Sequence, residues 1–402
     1  MRAMTNDLLA DARSALPDIV EVRRRIHRRP ELALQLPETQ AIISEELGKL
    51  GLDPQPGKRV TSVTAVIGAD RTGPATVLRA DMDALPLTER TELEFASEID
   101  GRMHACGHDA HVAMLLGGAR LLVERATDLA GPVVLMFQPG EEGFHGARFM
   151  LEDGLLAGFD SARTRAFAIH ISTMYASGEV HLRPGPLLAS ADNFRITVRG
   201  RGGHASAPHD ALDPIPVAAE IVTTLEVAVT RQVNVFDPAV VTVAHIVAGT
   251  THNIIPETAF LEGTYRTTSD VRRAATRELI QRVVDGISAA HGLSADVAFE
   301  PVYPVTVNDA AVAERVRILA AELLGESESV TMPSPIMGAE DFSYILEKVP
   351  GAMAFLGGRP RDADASTYPA NHSDRVVFDE PSMAVGAALY AHVALGIWSG
   401  VG

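Results

Sequence analysis

Three apolar runs in the first half of the chain each end on residues that bear charge or can bind metal. Thr76 to Ala80 leads into Asp81-Met82-Asp83. Gly131 to Phe137 leads through Gln138-Pro139-Gly140 into Glu141-Glu142. Ala166 to Ile169 ends on His170. Short apolar runs of this kind read as buried strands. Val60 to Ile67 is also strand-like, and Ala110 to Arg125 has apolar residues at helical spacing with alanine and glycine at packing positions. Strands that alternate with helices argue for a largely parallel or mixed sheet with helices on both faces. In open sheets of that class, ligand sites gather at the carboxyl ends of the strands.

The start of the chain, Asn6 to Leu50, reads as two helices broken at Arg29-Pro30-Glu31, because the residue before a proline disfavours the helical region. The cluster Arg23, Arg24, Arg25, His27, Arg28 and Arg29 reads as a solvated helix face that complements the helix C-terminus.

The densest chemistry lies in Met103-His104-Ala105-Cys106-Gly107-His108-Asp109-Ala110-His111, which holds the only cysteine among 402 residues. That cysteine cannot form an intrachain disulfide, yet a divalent ion deprotonates a nearby thiol and so makes it a ligand. Imidazole and thiolate suit zinc, and imidazole with carboxylate also suits manganese, cobalt or nickel. Cys106 and His108, one glycine apart, are the candidate ligands; His104 and His111 read as neighbours. Of the paired glutamates, one can ligate while the other, unbound, takes a proton from water. Asp81 and Asp83 read as strand-end caps or as carboxylates that orient a ligand histidine. His372, in Tyr368-Pro369-Ala370-Asn371-His372-Ser373, is a further candidate far along the chain. A cysteine/histidine nucleophilic hydrolase is the rival reading, and it leaves Glu141, Glu142, His170 and His372 without a role.

At 402 residues two domains are the natural expectation. From near Leu188 the pattern becomes strand (194–199), helix (214–230), strand (240–247), strand (258–267), helix (270–291), strand (296–301). This β-α-β-β-α-β order is the ferredoxin-like signature. We therefore expect a catalytic domain in two parts, 1–187 and 302–402, interrupted by an α+β lid or dimerisation domain over 188–301. The insertion carries the glycine-rich stretch Arg199 to His209 with His204, and also Asn253 and Arg266. His204 suits an oxyanion and the latter pair a substrate carboxylate, or all three are structural. The net charge of −17 argues against nucleic acid as a partner. The first twenty residues lack the apolar core of a signal peptide, and no apolar run reaches the ~18 residues of a membrane span. With one cysteine, this fits a reducing cytoplasm.

These motifs, in this order, resemble the metallo-aminoacylase and carboxypeptidase family. The likeness is to its amidohydrolase subgroup of hippurate hydrolases, indole-3-acetyl-amino-acid hydrolases and N-acetyl-diaminopimelate deacetylases. It covers nearly the whole chain, from Arg25-Ile26-His27-Arg28-Arg29-Pro30-Glu31-Leu32 through Arg79 to Pro86, Met103 to His111, Gln138 to Glu142, Gly200 to His204, Asn253 to Pro256, Gly338-Ala339-Glu340-Asp341-Phe342 and His372. The resemblance implies two divalent ions (Mn, Zn, Co or Ni) held by Cys106, His108, Glu142, His170 and His372. It implies Glu141 as general acid/base and Asp83 as support for a ligand histidine. His204 matches a lid-domain histidine that in some dimeric relatives reaches the neighbouring subunit's active site, and Asn253 and Arg266 match positions that bind the substrate carboxylate. The implied reaction is hydrolysis of an N-acyl amino acid to a carboxylate and a free amino acid, by a homodimer or higher homo-oligomer. Dipeptidase or carboxypeptidase-like activity, or a non-catalytic binding protein on the same fold, are the alternatives. One departure is Gly140, where alanine is common in the family.

Overall fold

A computed structural model describes residues 2–399, with side chains from Leu8 onward. The first fifty residues form three helices, not two: α1 (Arg2–Ser14), α2 (Leu16–Arg28) and α3 (Pro37–Lys49). The extra break falls at Ala15, because Pro17 has no N–H to give to the preceding turn and takes its place in the first turn of α2. Pro17 was the signal for this break. The solvated-face reading of the basic cluster also fails in part: Arg23 and His27 are each only 1% exposed, because carboxylates from distant segments meet them.

Next come β1 (Val63–Ile67), β2 (Ala75–Asp81), α4 (His108–Val123), β3 (Val133–Gln138) and β4 (Thr164–Ala176). The run then continues through β5 (Ala191–Arg199), α5 (Pro214–Gln232), β6 (Ala239–Ala248), β7 (Thr258–Thr267), α6 (Asp270–Ala290) and β8 (Ser294–Tyr303). It closes with α7 (Ala310–Leu324), β9 (Gly351–Arg359) and α8 (Ser382–Gly396). The chain divides into two units, one of residues 1–187, 307–334 and 341–402, the other of 188–306 with 335–340.

The larger unit is built on an eight-stranded sheet ordered Gln55–Pro56, β1, β3, β2, β4, β9, Val180–Leu182, Ser329–Thr331. Its centre is parallel, β3 to β2 to β4 to β9, and the β1–β3 and β9–Val180 pairs are antiparallel. Every residue of β2 and β3 is buried, as strands covered on both faces require. The mixed α/β fold expected from the sequence is therefore present. Helices α4 and α8 are buried on nearly all sides and cross closely at small residues. A Cβ on Gly118 would stand 2.9 Å from the Cβ of Tyr390, so glycine sets that spacing.

The smaller unit is a four-stranded antiparallel sheet ordered β6-β7-β5-β8, the ferredoxin-like arrangement. Phe194, Ile196 and Val198 alternate inward along β5 and pack with Val217, Ile221 and Leu225 of α5 and Ile280 and Val284 of α6. Both helices start on side-chain caps, Asp213 accepting from Ile215 N–H and Ser269 from Arg272 N–H. Residues 335–340 attach to this unit through the Leu188–Ile336 bridge and an Arg266 hydrogen bond to the Met337 carbonyl. Among the described residues no helix is long and apolar enough to cross a membrane.

Candidate metal centre

Strands β2 and β3 run in parallel and end level, Asp81 opposite Gln138. Just beyond their ends, the Asp83 carboxylate accepts the backbone N–H of Glu141 at 2.9 Å and of Glu142 at 3.1 Å. One buried acid thus holds the turn that carries both glutamates. That turn needs a positive φ of 71° at Gly140, where a Cβ would also meet Leu34 Cδ2 at 2.5 Å. The departure from alanine has a local cause in this chain. Strand β4 pairs with β2 up to Arg79–Ala168 and then runs on, which brings His170 to the same end of the sheet. Cys106 and His108 flank Gly107, the residue before α4, at φ 92°.

Around these ends six donor side chains converge. The Cys106 Sγ lies 3.3 Å from His170 Nε2 and 3.3 Å from His372 Nε2. Glu142 Oε1 lies 3.3 Å from the same His372 nitrogen. Two donor sets result, Cys106/His108/His170 and Cys106/Glu142/His372, each with its donor atoms within 4.8 Å of one another, and they share the thiol. Glu141 stands outside both, within a third set with His108 and Glu142.

The protonation chemistry suits a cation. The His170 Nδ1 faces the Ile171 carbonyl at 2.8 Å, so it carries the proton and leaves the Nε2 lone pair towards Cys106. His108 is fully buried, yet neither ring nitrogen makes a hydrogen bond; Nε2 lies 3.5 Å from Asp81 and Nδ1 3.6 Å from Asp83. Leaving such groups unmet costs about 1–3 kcal/mol each; a divalent ion would take up one His108 nitrogen and leave the other to the carboxylate that faces it. Contacts with Cys106 and Glu142 raise the His372 pKa to about 10, and burial together with Glu142 pushes the Cys106 thiol up. The pocket is thus short of positive charge. A cysteine nucleophile would explain the Cys106–histidine contacts but not the buried His108 ring without a hydrogen bond.

His111 is a neighbour of this set. Its Nδ1 faces Asp81, and its Nε2 accepts the Ile171 N–H at 2.7 Å, so both nitrogens are engaged. His104 is buried beside Asp109 and His27, and burial lowers its pKa to about 3. Beneath the centre lies a polar network that the sequence reading did not single out. Arg79 donates to Gln138 at 2.9 Å, to Asp81 at 2.8 Å and to Asp341 at 3.3 Å, all buried. Although burial works against its charge, Arg79, His108 and His111 hold Asp81 well below the ordinary carboxylate range. An arginine inside a largely apolar strand was the available signal.

In the smaller unit, His204 and Asn253 sit on one two-stranded ribbon, with Ile254 paired to His204. His204 Nδ1 accepts the Ser206 N–H at 3.1 Å, so the proton is on the exposed Nε2. Arg266 is elsewhere. The ribbon leaves the sheet beside Thr258, and Arg266 is about 26 Å further along β7 at ~3.3 Å per residue. The structure thus groups His204 with Asn253 and separates both from Arg266.

A family described as Peptidase family M20/M25/M40 matches residues 77–396. Thermostable carboxypeptidase 1 of Saccharolobus solfataricus is 40% identical over 396 residues, covering 98% of each chain. N-acetyl-L-cysteine deacetylase of Bacillus subtilis is 40% identical over 339 residues, 84% of this chain and 80% of that one. A dinuclear metal-binding peptidase of the M20 family from Bacillus subtilis superposes with a TM-score of 0.82 at 33% identity, covering 95% of this chain and 98% of that one.

Proposed function

The chain belongs to the peptidase family M20/M25/M40, and we propose that it is a metal-dependent amidohydrolase that cleaves N-acyl amino acids to a carboxylate and a free amino acid. The observation that carries this reading is the pair of donor sets that share Cys106, with Glu141 beside them and outside both. Cys106, His108, Glu142, His170 and His372 would hold two divalent ions, of manganese, zinc, cobalt or nickel. Bound there, the ions supply Lewis acidity towards the amide carbonyl and towards water. Glu141 takes the proton from the attacking water and returns it to the leaving nitrogen. Asp83 fixes the backbone of both glutamates, and Ile171 fixes the His170 tautomer.

A carboxypeptidase and an N-acetylcysteine deacetylase both release an amino acid from an amide, which supports an amino-acid leaving group here. The carboxypeptidase likeness also keeps short peptides in view as substrates. Arg266 suits the substrate carboxylate, and the His204 Nε2–H suits the oxyanion, with Asn253 beside it.

Arg266 and Thr258, where the His204 ribbon leaves the sheet, lie near opposite ends of β7, ~26 Å of strand apart, which is longer than one small substrate. We read this as two copies serving one site, His204 and Asn253 coming from the partner. The exposed edge strand β6 supports pairing between copies, since Val240, Ile246 and Val247 lie 43%, 52% and 51% exposed along it. A thiol-bearing centre suits a reducing cytoplasm.

The test is a panel of acetyl, benzoyl and indole-acetyl amino acids with short peptides, assayed after chelation and after each metal is restored. Turnover lost to chelator and regained with metal supports the reading. Turnover indifferent to chelator would favour the cysteine nucleophile, and none at full metal occupancy would favour a binding protein.

A further inference from the structure

We propose that Asn371 is a positioning residue that sets the donor triangle of Cys106, His170 and His372. The inference rests on the metal reading above. The Asn371 side chain uses its amide towards three backbone groups on two segments, the Cys106 turn and β4. Its Nδ2 donates to the Cys106 carbonyl at 3.1 Å and to the Ile171 carbonyl at 3.0 Å. Its Oδ1 accepts the Thr173 N–H at 3.1 Å. Two carbonyls on one side and an N–H on the other leave a single orientation for the amide.

Both carbonyl contacts bear on a ligand. The Cys106 carbonyl belongs to the residue whose Sγ both donor sets share. The Ile171 carbonyl is the one that takes the His170 Nδ1–H, so Asn371 anchors the group that selects the His170 tautomer. Asn371 precedes His372, whose backbone sits at φ 69° while its N–H donates to the Ala105 carbonyl at 2.9 Å. A left-handed histidine costs about 1 kcal/mol or more, and the flanking hydrogen bonds hold it there. The segments meeting at this amide are otherwise far apart, 265 residues between Asn371 and Cys106. Outer partners of this kind typically change metal affinity by about 10–100-fold.

The experiment loads the full-length chain with cobalt. It follows the thiolate-to-cobalt charge-transfer absorption, the metal affinity by chelator competition, and thermal unfolding of the metal-free protein. Asn371→Ala removes the three backbone hydrogen bonds and the 3.5 Å one from the Thr173 hydroxyl. Asn371→Asp keeps the shape and turns a carboxylate oxygen on two carbonyls. Both variants are expected to bind cobalt about 10–100-fold more weakly, with a displaced or weakened band, in samples whose metal-free unfolding shows them folded. Wild-type affinity and band in both variants would overturn the proposal, as would metal loss that only tracks the unfolded fraction. A wild-type chain without the band would instead overturn the metal centre itself, and this inference with it.

Discussion

Arg23 donates from Nε to the Asp109 carboxylate at 2.7 Å, and both side chains are buried although 86 residues separate them. The same oxygen faces His27 Nδ1 at 2.7 Å, while Arg23 Nη1 reaches Glu380 at 3.0 Å. Asp109 follows His108 in the first turn of α4, so α2 grips the helix end that presents the candidate ligands. Removing one partner of a buried pair leaves an uncompensated charge, at a cost of about 3–5 kcal/mol. Arg23→Met should lower the unfolding free energy of the metal-free protein by that amount in urea titrations. A loss below ~1 kcal/mol would mean the pair contributes little.

Acid should destabilise the fold through His104. Its folded pKa is lowered to about 3 by burial, against about 6.5 in the unfolded chain. Between those values the unfolded state binds the extra proton. Stability therefore falls as pH drops from about 6.5 towards 3, by about 1.4 kcal/mol per pH unit from this group. Burial opposes the Asp109 charge, yet Arg23 and His27 hold its pKa far down, which adds a second loss below about pH 4. His27, raised by Asp109 and Glu89 against its burial, acts with the opposite sign and only above about pH 6.5. His104→Leu should flatten the slope between pH 6.5 and 4 (about one proton fewer) in denaturant titrations of metal-free protein. An unchanged slope would remove His104 as its source.

Much of the fold and the candidate centre can be read from the sequence, for physical reasons. Apolar runs ending at Asp81, Gln138 and His170 announce both a sheet and its functional edge, although the strand of His170 itself continues to Ala176 and only its pairing with β2 stops before the histidine. Cys106 and His108 stand out through rarity and spacing. The ion pairs do not stand out. Arg23 looks like one more charge in a basic run, since nothing local reveals Asp109 and Glu380 as its partners. Arg79 and Asp341 meet across 262 residues. Asn371 is one amide in a turn-rich segment, and its value lies wholly in carbonyls brought to it by folding. The break at Ala15 was legible in Pro17, but the helical periodicity around it masked the signal.

Gly107 is a sharper local test. A Cβ there would stand 2.4 Å from Ile171 Cγ2, and the φ of 92° is strained for any side chain. Gly107→Ala should cost about 1–3 kcal/mol and displace Cys106 from His108, weakening metal binding in a competition titration. Wild-type stability and affinity would show that the turn adapts freely.

The shared-site reading makes a prediction about mixtures. His204→Ala alone should lower kcat/KM while both metals stay bound, because His204 is outside the ligand set, and Arg266→Ala should mainly raise KM for carboxylate-bearing substrates. Co-expressed His204→Ala and Glu141→Gln chains should regain activity, since one site of each mixed dimer then has Glu141 from one copy and His204 from the other. Mixtures as inactive as their parents would place His204 outside the partner's site or outside catalysis.

The central claim is that Glu141 moves the proton at a metal centre it does not build. The most direct measurement pairs metal content by elemental analysis with turnover for Glu141→Gln. The expected result is an unchanged metal-to-chain ratio with turnover reduced by about a hundredfold or more. Near wild-type turnover with the metals in place would contradict the account.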